Sequence, residues 1–158
     1  MKRGGRKMKE IKILLVDDEE RFLSTTRKLL ERKGLQVSTA MSGWEAVEKL
    51  ETENVHVVIL DVKMPGMDGI ATLKAIKARH PLVEVIMLTG HATVDSALDG
   101  LKSGATDYLM KPTDIDELVS KAEEAFAKRQ VLEEKIRTAR FNWSTKSALD
   151  ILAGDEDD

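Results

Sequence analysis

The sequence has no cysteine among its 158 residues. A disulfide framework and a cysteine-ligated metal site are both excluded. No apolar run approaches the ~18 residues of a membrane span, and no signal-peptide hydrophobic core follows the start. Neither sign of charge dominates: 25 Lys and Arg stand against 28 Asp and Glu, for a net charge of −3. No global field therefore draws the chain to nucleic acid. The residues are 42% hydrophobic and 34% charged, an ordinary globular composition. The length suits one domain with a full core and some extra chain. A soluble cytoplasmic protein is the expectation.

Charge is uneven along the chain. The opening "MKRGGRKMK" is basic and contains glycine; residues 1–8 read as a disordered, solvated arm. The closing "GDEDD" reads as a frayed acidic tail. The sharpest contrast is "ILLVDDEE", Ile13 to Glu20, where four apolar residues run into four carboxylates. Two carboxylates about 4 Å apart repel by roughly 4 kcal/mol at an effective dielectric near 20. Crowded acids at the end of a buried strand call for solvent or a cation.

Five short apolar runs stand out: "IKILLV" (11–16), "LQVSTA" (35–40), "VHVVIL" (55–60), "EVIML" (84–88) and "TDYLM" (106–110). Stretches of helical spacing lie between them. Phe22, Leu23, Thr26, Leu29 and Leu30 form one stripe, and Trp44, Ala46, Val47 and Leu50 a second. Ile70, Leu73 and Ile76 form a third, stopped at Pro81. Val94, Ala97, Leu98 and Leu101 form a fourth, with Gly104 as its C-cap. Ile115, Leu118, Val119, Ala122 and Phe126 begin a fifth. Ser42 with Glu45 reads as a capping box, and Thr113 with Asp116 as a weaker relative. Five strands alternating with helices predict an α/β fold: a parallel sheet with helices on both faces and right-handed crossovers. The unalternating "VVIL" suits a strand covered on both sides.

Chemistry gathers where these strands end. The first delivers Asp17 and Asp18, the third Asp61, the fourth Thr89, the fifth Lys111 and Pro112. Ligands of open parallel sheets sit beyond the carboxyl ends of the strands at the topological switch point. In the flavodoxin-like order 2-1-3-4-5 that point lies between strands one and three, the two that end in acids. Three carboxylates suit a hard cation such as Mg²⁺, which takes oxygen ligands. Lys111 offers a compact positive charge for a phosphoryl oxygen, and Thr89 a hydroxyl. Asp61 is placed to act as a nucleophile, since carboxylates form acyl phosphates. The site reads as phosphoryl transfer onto an aspartate.

At this point the sequence resembles the receiver domain of two-component response regulators, in the style of nitrogen-regulation-type activators. The resemblance covers residues 9 to 128 and rests on "ILLVDDE", "VVILDVKMPGMDG", "VIMLTG" and "GATDYLMKP". It implies that Asp61 is the phosphoacceptor, Asp18 a direct Mg²⁺ ligand, and Asp17 an acid holding the ion through water. It implies that the backbone carbonyl of Lys63 is a further ligand. Thr89 matches the switch hydroxyl, Lys111 the phosphate-pairing lysine, and Tyr108 the aromatic switch. The Lys111–Pro112 bond is expected to be cis. The implied partners are a histidine kinase or phosphotransfer protein and a downstream protein target. The readout would be carried by the face of helix 4, strand 5 and helix 5. Membrane and nucleic acid are not expected as partners of this chain.

Each residue has a plainer reading on its own. Aspartates after strands cap helices, Thr89 can satisfy a turn, Lys111 can be a solvated lysine, and Tyr108 a half-buried aromatic. "MPG" and "MDG" are turn chemistry. Only the set points to function. Lys63 and His91 border the route of an attacking water; either they tune the phosphoryl lifetime or they face solvent. An aspartyl-phosphate hydrolase of the haloacid-dehalogenase type needs a second acid two residues after its nucleophile, where this chain has Lys63. A flavin domain needs a Ser/Thr/Gly-rich loop after strand one. A binding module independent of phosphorylation would not need the whole set.

Residues 129–158 form a C-terminal helical extension and acidic tail. Leu118, Ala122, Ala125, Arg129, Leu132, Ile136 and Ala139 follow steps of four and three, the spacing of a coiled coil. Either this is the seam of a homodimer through helix 5 and its extension, or the last helix is simply long and amphipathic. Beyond Phe141 and Trp143, "SALDILAG" is a candidate final helix. The chain is either a stand-alone receiver or a fragment whose output module is absent.

Overall fold

A computed structural model describes residues 10–62, 68–90 and 94–156. Lys63, His91, the "MPG" turn and the basic arm of residues 1–8 lie outside the described residues. The strands are β1 (Lys12–Val16), β2 (Gln36–Ala40), β3 (Val57–Leu60), β4 (Glu84–Thr89) and β5 (Asp107–Met110). The helices are α1 (Glu20–Arg32), α2 (Gly43–Thr52), α3 (Gly69–Arg79), α4 (Val94–Lys102) and α5 (Ile115–Glu156). The sheet is parallel, in the order β2-β1-β3-β4-β5. This is the flavodoxin-like order, with β1 and β3 adjacent at the switch point.

Side chains of a strand alternate between faces, so a strand covered twice contributes to two cores. Ile13, Leu15, Val57, Ile59, Ile86 and Leu88 face α1 and α5, meeting Leu23, Leu30, Leu118, Ala122 and Phe126. Leu14, Val16, Val58, Leu60, Val85 and Met87 face the other way, meeting Ala46 and Leu50 of α2 and Leu73 and Ile76 of α3. Two turns are set by glycine: Gly34 and Gly104 have φ of 97° and 108°. In each, the next residue's N–H reaches back to the carbonyl three residues inside the helix end, Leu35 to Leu30 and Ala105 to Gly100. That is the Schellman closure of α1 and α4.

Several local expectations are corrected. Trp44 lies on the expected stripe of α2 but is 69% exposed; Ala46 and Leu50 carry the packing. Leu98 and Leu101 of α4 are nearly half exposed, while Gly100 is buried beside Met87 and Tyr108. Helix α5 starts one residue later than a Thr113 cap requires. The Asp114 carboxylate accepts from the Asp116 N–H at 3.3 Å, and Leu118 N–H donates to the Asp114 carbonyl. "SALDILAG" is no separate helix: α5 runs unbroken for 42 residues, about 63 Å at 1.5 Å per residue.

The expected seam is divided. Leu118, Ala122 and Ala125 are buried in the chain's own core. Arg129 ends the attachment: its Nη1 donates to the Val55 carbonyl at 2.8 Å and its Nε to Glu133 at 2.7 Å. Past it, Leu132, Phe141, Trp143, Leu149, Ile151 and Leu152 are exposed.

Candidate functional site at the carboxyl edge of the sheet

The sheet's own hydrogen bonds carry on into the site. Asp17 N–H donates to the Ala40 carbonyl at 3.1 Å, Asp61 N–H to Val16 at 3.0 Å, and Lys111 N–H to Thr89 at 2.9 Å. Each residue just past a strand is thereby fixed to its neighbour. With Val16 opposite Leu60, the acids after β1 and β3 must come side by side. One oxygen from each of Asp17, Asp18 and Asp61 lies within 4.8 Å of the others. Asp17 and Asp61 are buried and Asp18 is exposed, so the cluster has an inner wall and an open side. An oxygen-only donor set of this size suits a hard divalent cation.

Among the described residues, Lys111 brings a cation to the cluster. Its Nζ lies 2.5 Å from Asp17 Oδ2, while Asp17 Oδ1 accepts the Glu19 N–H at 2.9 Å. Burial pushes the Asp17 carboxyl above the usual carboxylate range. The Lys111 and Glu19 hydrogen bonds pull it back, and the charge of Asp61 adds to the rise. Glu19 Oε1 stands 4.0 Å from Nζ on the solvent side. Thr89 ends β4 and is fully buried, and the Lys111–Pro112 bond is cis, as the resemblance implies. Tyr108 is half-buried on β5, opposite Met87, and packs against the core shared with α2 and α3.

Two features were not legible beforehand. Phe22, which reads as a core position of α1, places its ring under Lys111 Nζ, 3.9 Å from the ring centroid. Gly69, which reads as turn chemistry, is a point of close backbone approach: its N–H donates to the Val62 carbonyl at 2.9 Å. An added Cβ there would stand 2.5 Å from the Asp61 carbonyl oxygen. No local sequence signal marks either one, since each depends on a residue brought in from another element.

The fold and the acidic edge define a class: a doubly wound parallel-sheet domain with a carboxylate cluster at its switch point. The family model for the response regulator receiver domain matches residues 13–123, and the chain belongs to that family. It is 40% identical over 131 residues to the DNA-binding transcriptional regulator NtrC of Klebsiella pneumoniae. That match covers 83% of this chain and 28% of the relative, so the chain spans little more than a quarter of the relative's length. Among solved structures it is similar to a CheY-like receiver domain protein from Methanospirillum hungatei JF-1, with a TM-score of 0.73 and 32% identity, covering 76% of this chain and 96% of that one. It is also similar to a beryllofluoride-activated NtrC4 receiver domain dimer, with a TM-score of 0.71 and 36% identity, covering 75% of this chain and 98% of that one. Among the described residues, no helix is long and apolar enough to cross a membrane.

Proposed function

We propose that this receiver accepts a phosphoryl group on Asp61 from a histidine kinase or phosphotransfer protein and changes its protein contacts in response. The observation that carries the reading is the buried Asp61 carboxylate gathered with Asp17 and Asp18, with Lys111 on Asp17. A carboxylate oxygen of Asp61 attacks phosphorus and forms an acyl phosphate. The P–N bond to the donor imidazole breaks, and its electron pair returns to nitrogen, which takes up a proton.

Asp17, Asp18 and Asp61, with the Lys63 carbonyl, would hold Mg²⁺, which when bound supplies positive charge against both the acids and the phosphoryl oxygens. Lys111 pairs with a phosphoryl oxygen and the Thr89 hydroxyl donates to another. Lys63 and His91, which lie outside the described residues, are the candidates for tuning the lifetime of the acyl phosphate. Thr89 and Tyr108 carry the change to α4, β5 and α5, where Leu98, Leu101 and Met110 are exposed. A 1:99 to 99:1 shift between two states would require about 5.5 kcal/mol of differential interaction. Homodimerisation involves this face and the α5 extension, and the setting is cytoplasmic. The chain has no independent small-molecule substrate.

The test is incubation with a small phosphodonor and Mg²⁺, followed by intact mass. One phosphoryl group is expected on the wild type and none on Asp61→Asn. No adduct on the wild type, with the same donor active on another receiver, would overturn the proposal.

A further inference from the structure

Asp17 is wanted by two cations. In this structure its Oδ2 holds the Lys111 ammonium at 2.5 Å. The same carboxylate belongs to the cluster suited to a divalent ion. When Asp17 turns to a metal, Lys111 loses its nearest partner before any phosphoryl oxygen has arrived. Glu19, at 4.0 Å and with its side chain 69% exposed, is a screened substitute. Among the described residues, the face of Phe22 also lies against the ammonium, 3.9 Å from Nζ. An aromatic face carries negative potential and attracts an ammonium, and does so more strongly where water is partly excluded. Here the Lys111 side chain is only 18% exposed, and Phe22 is partly buried against the core of α1 and α5.

We infer that Phe22 is a positioning residue for phosphoryl capture: its ring holds the Lys111 ammonium at the mouth of the acidic site while Asp17 is given over to the metal. This rests on the reading of Asp61 as the acceptor. An ammonium already in place removes the reorganisation that phosphoryl arrival would otherwise require. Leu or Met at position 22 would fill the space on α1 but offer no negative face.

The test uses the full chain with Phe22→Leu, Phe22→Met and Phe22→Tyr. The first readout needs no phosphorylation. The Lys111 ε-methylene proton resonances should lie upfield of the other lysines in the wild type and in Phe22→Tyr, from the ring current. They should return to the ordinary lysine position in Phe22→Leu and Phe22→Met. The second readout is the rate of acyl-phosphate formation from a small phosphodonor at saturating Mg²⁺. It should fall about three- to tenfold in both aliphatic variants and recover in Phe22→Tyr. In a Lys111→Met background, Phe22→Leu should add nothing.

Wild-type rates in the aliphatic variants would overturn the inference, as would equal slowing by Phe22→Leu with and without Lys111. An ordinary Lys111 resonance in the wild type would also overturn it. If the wild type captures no phosphoryl group, the acceptor reading fails and takes the capture role with it. The resonance would then still report whether ring and ammonium pair.

Discussion

Gly69→Ala is the substitution whose effect this structure fixes most narrowly. An ideal Cβ at position 69 would stand 2.5 Å from the Asp61 carbonyl oxygen, 2.5 Å from Val62 Cα and 2.8 Å from the Val62 carbonyl oxygen. All three atoms belong to the backbone, so no rotamer change relieves the overlap. The start of α3 must move away from the end of β3 by about 1 Å to reach ordinary contact, and overpacking of this kind costs about 1–3 kcal/mol. The same movement stretches the 2.9 Å hydrogen bond from Gly69 N–H to Val62, worth about 1 kcal/mol. The sum, about 2–4 kcal/mol, lowers the melting temperature by roughly 6–15 °C for a domain of this size.

Gly100→Ala is the matching control. A Cβ there meets Met87, Tyr108 and Ile70 atoms at 3.6–3.9 Å, which is ordinary contact. Replacing a helical glycine with alanine should stabilise by about 0.5–1 kcal/mol. Thermal and denaturant unfolding followed by circular dichroism read both variants. Because the colliding oxygen belongs to Asp61, Gly69→Ala should also slow acyl-phosphate formation under conditions where it is still folded. Gly69→Ala melting with the wild type, or both alanines shifting stability in the same direction, would refute the close-approach argument.

Mg²⁺ should raise the melting temperature of the wild type, with stabilisation of about 2.7 kcal/mol at 100 times its dissociation constant. Asp18→Asn should abolish that gain in a calorimetric titration. His56 accepts the Lys12 N–H at Nδ1, 3.0 Å, and burial, with Arg129 nearby, holds its pKa below the usual imidazole value. Its contribution to stability is therefore present above the ordinary imidazole pKa and lost as pH falls through the lowered one. His56→Gln should remove this acid-side loss, read from denaturant midpoints between neutral and mildly acid pH. Arg129→Ala removes the bonds to Val55 and Glu133 and should cost about 1–2 kcal/mol, with faster hydrogen exchange in the last attached turns of α5.

The strands and the acidic edge were legible because each depends on order along the chain. Period and length mark "VVIL" as a covered strand, and the residue after a parallel strand always faces the same edge. Asp17, Asp18 and Asp61 meet for that reason alone. What could not be read depends on neighbours from elsewhere. The stripe of α2 includes Trp44 by spacing, but only Ala46 and Leu50 fit under the helix. Leu98 and Leu101 have helical spacing, but β5 is an edge strand and α4 rests on it through Gly100. Phe22 and Lys111 share no local pattern, and their contact exists only once α1 and β5 are folded on the same edge. Gly34 closes α1 as Gly104 closes α4, and both carry the same signal, a glycine just past the last helical turn.

The division of the α5 seam at Arg129 bears on how a homodimer would be held. Leu118, Ala122 and Ala125 are already buried by the chain's own sheet and α1, so they have no area left to give a partner. The same spacing continues through Leu132, Ile136, Ala139 and Trp143, then meets Lys146 and Asp150. At 100° per residue, Phe141 lies on the other side of the helix from Trp143, with Ala148 and Leu152 beside it. The usable seam is thus a stretch of twelve residues from Leu132 to Trp143, about 18 Å long. So short a seam offers little area to a second receiver, and in the proposed homodimer the α4–β5 face would supply the rest. A peptide of residues 130–156 should therefore sediment as a monomer. In the full phosphorylated chain, Ile136→Asp and Leu101→Asp should each weaken association. A stable dimer of the isolated peptide, or full association surviving Leu101→Asp, would show that the extension alone suffices.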